Sequence, residues 1–135
     1  MSNLDMLEKQ HEEVSILIHN INHLASKGLE DSAKEIAFQI NALSGKLKMH
    51  LMSEDKFLYP SLTQSSNSTI RNIANAFQKE MGSLAELFLV FSQKYNIAMK
   101  ITENKVSFLS ESKQIFEKIE SRMKKEDIHL YPLLK

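Results

Sequence analysis

Side chains able to bind a cation recur on faces of this chain that are otherwise apolar. The spacing 4, 7, 11, 14, 18 sets His11 among Leu4, Leu7, Val14 and Ile18. The spacing 43, 47, 50, 54, 57 sets His50 and Glu54 on a second apolar face. On a third, the spacing 108, 112, 115, 119, 122, 126, 129 brings in Ser112, Arg122, Glu126 and His129. Imidazole and carboxylate donors together suit iron, zinc or manganese. His129 follows Glu126 by three residues, the spacing with which some helical bundles present a Glu and a His to metal. An unpaired polar group in a core costs a few kcal/mol and an unpaired charge much more. Such residues on facing stripes are therefore expected to meet one another, a metal ion or trapped water.

A repeat locates this polar layer. HLMSEDKFLYP, from His50 to Pro60, returns as RMKKEDIHLYP, from Arg122 to Pro132. The shift carries His50 onto Arg122 and Glu54 onto Glu126. KQHEEV around His11 is echoed by KEMGSL around Met81. Two helical hairpins related by a pseudo-two-fold axis account for both echoes. Each gives one residue from its first helix and a pair four residues apart from its second.

The elements that must position these residues follow from apolar spacings of three and four. The first stripe runs from Leu4 through Ile21 to Ala25, with Gly28 placed as a C-cap. The second is expected to open at Asp31-Ser32, with Ser32 and Glu35 as a capping box, and to end at Pro60. The loop TQSSNST, residues 63–69, supplies an N-cap for the third stripe, from Ile70 through Met81 to Phe91. A second loop lies near residues 96–104, and the fourth stripe includes Phe108, Ile115, Ile119, Met123 and Leu130. No segment reads as a strand. The expectation is all-α: an up-down-up-down four-helix bundle forming a single domain over residues 1–135.

Composition narrows the function. Seventeen Lys and Arg balance 17 Asp and Glu, which argues against nucleic-acid and acidic-membrane partners. The chain has no Cys, so disulfides, thiolate metal sites and cysteine nucleophiles are excluded. The N-terminal stretch does not read as a secretory signal and no run is long enough to span a bilayer, so a cytoplasmic location is expected. No nucleophile elbow or phosphate loop is present. His19 and His23, four residues apart, lie well round the helix from His11 and read as a solvated pair.

KQHEEV, HLMSEDKFLYP and the second LYP segment resemble the hemerythrin-like, or HHE cation-binding, family. The resemblance implies a four-helix bundle with a non-haem di-iron core, each hairpin giving a His and then HxxxE. The first hairpin matches with His11, His50 and Glu54. The second keeps Glu126 but has Met81 and Arg122 where the family has histidines. A thioether is a poor iron ligand, and a guanidinium has no lone pair to give. A full di-iron site is thus not expected. Three readings stand open. One metal ion, iron in the family's manner, is held by His11, His50, Glu54 and Glu126, with His129 as a further ligand. Alternatively Arg122 bridges Glu54 and Glu126 as a built-in cation, leaving the core metal-free. Or Arg122 snorkels away towards the bundle end. The functional expectation is a non-catalytic sensory or regulatory domain. The alternatives are a working iron protein that binds oxygen, nitric oxide or peroxide, and a metal-free regulator acting through protein contacts.

Overall fold

A computed structural model describes residues 2–134. Four long helices dominate: α1 (Asn3–Ser26), α2 (Leu29–Phe57), α4 (Ser68–Tyr95) and α6 (Lys105–Lys125). Two short ones, α3 (Tyr59–Thr63) and α5 (Ala98–Thr102), lie in the connections after α2 and α4. Helix α1 packs on α2, α2 on α4, α4 on α6, and α6 back on α1. This closed ring of long helices is the expected all-α bundle, and no strand occurs among the described residues.

The ends of the helices show how local chemistry sets the frame. Ser2 caps α1 through its hydroxyl, which accepts from the Asp5 N–H, while Asp5 accepts from the Ser2 N–H. Gly28 has φ 115°, a conformation that glycine adopts without the strain a side chain would bring, and this permits the tight turn from α1 into α2. That turn makes α2 begin at Leu29, earlier than the Ser32 and Glu35 pattern suggests. Ser32 is instead buried within the helix. Asn67 supplies the expected cap of α4, accepting from the N–H groups of Thr69 and Ile70. Gly45 and Gly82 do not mark close helix contacts, since a Cβ at either would meet nothing within 4 Å.

Two apolar clusters fill the bundle. The larger includes Val14, Ile18, Ile40, Leu43, Leu47, Phe88, Phe91, Phe108 and Met123. The smaller, at one end, is built from Leu7, Leu58, Tyr59, Leu62, Ala74, Leu130 and Tyr131. His11, His50 with Glu54, and Glu126 fall in sequence between members of the two clusters on α1, on α2 and at the end of α6. All four are buried, the last three completely. They form the polar layer between two apolar ones. On α4 the same layer is occupied by Met81, which is buried in the larger cluster.

Candidate metal centre

One ligand atom from each of His11, His50, Glu54 and Glu126 lies within 4.8 Å of all the others. The histidines are held by groups outside this cage. His50 Nδ1 lies 2.8 Å from Gln10 Oε1. The Gln10 amide is itself oriented, because its Nε2 donates to Ser53 Oγ, which in turn donates to the Met49 carbonyl. His11 Nδ1 lies 2.8 Å from Asp127 Oδ1. Each outer partner is an acceptor, so each Nδ1 carries the ring proton and each Nε2 turns its lone pair inward. The rings lie 4.6 Å apart between centroids.

Tyr131 completes the cluster. Its hydroxyl donates to Glu54 Oε2 at 2.8 Å and lies 2.9 Å from His11 Nε2 and 3.3 Å from His50 Nε2. His11 Nε2 is also 3.0 Å from Glu126 Oε1. The second oxygens, Glu54 Oε1 and Glu126 Oε2, are buried without a hydrogen-bond partner. Two inward imidazole lone pairs and two buried carboxylates therefore share few protons. Burial first, then the neighbouring Glu54 carboxylate, pushes Glu126 well above the usual carboxylate range. Burial also raises Glu54, but the hydrogen bond and charge that His50 offers when protonated come first among the opposing effects, and with Glu126 and the Tyr131 hydroxyl beside it they hold Glu54 low. Burial and the adjacent His50 lower His11, favouring the neutral ring a metal ligand needs. Without a cation, burial and Glu54 thus favour the neutral acid at Glu126, whose Oε1 lies 3.0 Å from His11 Nε2. The orphaned carboxylate oxygens and inward lone pairs fit a positive ion.

These directions set a pH dependence. Glu126, raised in the fold, contributes metal-free stability below its ordinary value of 4.5, and that contribution fades as pH rises through its folded value. His11, lowered in the fold, contributes above 6.5 and loses that contribution as pH falls. A cation held by these four residues would compete with a proton on Glu126, so its affinity would rise with pH through the same window. Melting curves with and without added metal, taken across pH, should diverge progressively on the alkaline side. Equal divergence at all pH values would contradict the assignment of the proton to Glu126.

Two sequence expectations need correction. Arg122 does not bridge Glu54 and Glu126. It is ion-paired with Glu80 and lies over the Phe77 ring at 5.0 Å, both on α4. Its partly exposed guanidinium is thus paired across to α4, and no contact carries it to the bundle end as the snorkelling reading expects. His129 is exposed and outside the cluster. The cause is a π-helical turn at Glu126–Leu130, closed by the Tyr131 N–H on the Glu126 carbonyl. In a π turn the residue five positions on stacks over the first, so Tyr131 takes the place beside Glu126 that an α-turn would offer nearer His129. Ser112 donates to the Leu109 carbonyl on its own helix. His19 and His23 are exposed, as expected of a solvated pair.

A helical bundle with a buried two-histidine, two-carboxylate layer belongs to the class of bundle proteins built to hold cations. The family model for the hemerythrin HHE cation-binding domain matches residues 2–134, and the chain belongs to that family. No curated protein and no solved structure gives a significant match. No helix among the described residues is long and apolar enough to cross a membrane.

Proposed function

We propose that this domain holds a single cation, best an iron ion, between the first hairpin's His11, His50 and Glu54 and the second hairpin's Glu126, and serves as a sensory or regulatory module without catalytic turnover. The carrying observation is the asymmetry of the polar layer. His11, His50, Glu54 and Glu126 converge, while the positions that would complete a second site hold Met81 in the apolar core and Arg122 turned to Glu80. The ligands would be the two Nε2 atoms and an oxygen from each glutamate. A bound iron would supply a Lewis-acidic, redox-active centre. The chain's own part is to orient the imidazoles through Gln10 and Asp127, to bury the two carboxylates, and to wall the layer with apolar clusters that exclude water.

The degenerate half is tested by restoring it. The double variant Met81→His, Arg122→His should raise iron capacity from one ion per chain to two, measured by titration and elemental analysis. Two ions in the unaltered chain would overturn the single-ion reading. An unchanged capacity in a folded double variant would show that these two positions are not what limits the site.

A further inference from the structure

The two Leu-Tyr-Pro segments place two tyrosines at pseudo-equivalent positions, Tyr59 and Tyr131, and both are buried. Their hydroxyls fare differently. Tyr131 reaches His11, His50 and Glu54. The repeat would give Tyr59 the corresponding trio Met81, Arg122 and Glu126. A thioether is a weak acceptor, Arg122 has turned to Glu80, and the Tyr59 hydroxyl is left without a partner. The difference between two otherwise like tyrosines thus follows the cation donors.

The distances around Tyr131 match the edges of a coordination shell. Metal–ligand bonds to imidazole and carboxylate run about 2.0–2.2 Å, so adjacent ligands lie about 3.0 Å apart in an octahedron and about 3.4 Å in a tetrahedron. The phenol oxygen is 2.8 Å from Glu54 Oε2, 2.9 Å from His11 Nε2 and 3.3 Å from His50 Nε2. The donors themselves show the same spacing, 3.0 Å from His11 Nε2 to Glu126 Oε1 and 3.4 Å from His50 Nε2 to Glu54 Oε2. Separations of this size are those of hydrogen bonds in the metal-free site and equally those between adjacent ligands of one ion, so the phenol oxygen stands where a further corner of the polyhedron would lie.

We propose that Tyr131 is itself a ligand, its phenolate oxygen joining His11, His50, Glu54 and Glu126 on a ferric ion. This rests on the single-cation reading above. On ligation the O–H bond breaks, its electron pair becomes the oxygen–iron bond, and the proton leaves to water. Neither iron nor phenol changes oxidation state. A hard anionic oxygen favours the ferric over the ferrous ion, so Tyr131 biases which state the site retains. Tyr59, lacking the histidines, takes no such part.

The full-length chain is loaded with ferric iron, and iron content, visible absorption and resonance Raman spectra are recorded. Wild type should show a phenolate-to-iron charge-transfer band whose excitation enhances tyrosine ring modes, and those modes should shift when ring-deuterated tyrosine is incorporated. Tyr131→Phe should still bind iron, about tenfold or more weakly, without the band. Tyr59→Phe should keep it. The wild-type isotope shift stands even if a variant folds poorly. Iron bound without the band, or a band lost in Tyr59→Phe and kept in Tyr131→Phe, overturns the role of Tyr131 alone. No iron in wild type overturns the cation reading and this inference with it.

Discussion

Replacing Glu126 with glutamine should leave the metal-free protein at least as stable as wild type while abolishing its stabilisation by iron. In the metal-free fold burial and the Glu54 carboxylate favour the neutral acid at Glu126. A glutamine of the same shape keeps a donor for His11 Nε2 and removes the penalty for ionising in that position. It cannot supply the anionic oxygen that a cation needs. A ligand present at a hundred times its dissociation constant stabilises by about 2.7 kcal/mol. For a chain of this size that is a melting shift on the order of 10 °C. Wild type should show it and Glu126→Gln should not. A variant with the full metal-induced shift would remove Glu126 from the site. A variant much less stable without metal would contradict its neutral state.

The second large effect concerns the core that holds the layer in place. Phe108 is fully buried, with its ring 5.1 Å from that of Tyr95 and 6.1 Å from that of Phe91 between centroids. Truncation to alanine removes those contacts and leaves a cavity among α4 and α6, at a cost of about 3–5 kcal/mol. Phe108 contacts none of the four donors in the hydrogen-bond network. Phe108→Ala should therefore lower denaturant and thermal midpoints markedly, while the folded fraction binds iron with wild-type stoichiometry. A loss below 1 kcal/mol would mean that the aromatic cluster relaxes to fill the space.

Much of this architecture was legible because periodicity and repetition acted together. The stripes place His11, His50, Glu54 and Glu126 on inward faces, and the shift between the LYP segments pairs the two hairpins. Arg122 was harder. Its stripe position points inward, yet a long side chain can leave along the helix interface, and its partner Glu80 sits on another helix with no local signal. His129 failed because α-helical spacing was carried through a segment that is π-helical. Tyr131 was not among the candidate site residues, although its recurrence in both LYP segments was the available clue. Gln10 and Asp127 adjoin ligand positions in sequence, and nothing in the pattern singled them out. Their roles depend on which ring nitrogen faces outward, something only the packed helices decide.

The most direct test of the account is the iron content of chains expressed in iron-supplemented medium and purified without an affinity tag, set beside His50→Ala. The account predicts close to one iron per chain in wild type and almost none in a variant that keeps its helical content. Two irons per chain, or retention of the metal in His50→Ala, would contradict the half-site built on His11, His50, Glu54 and Glu126.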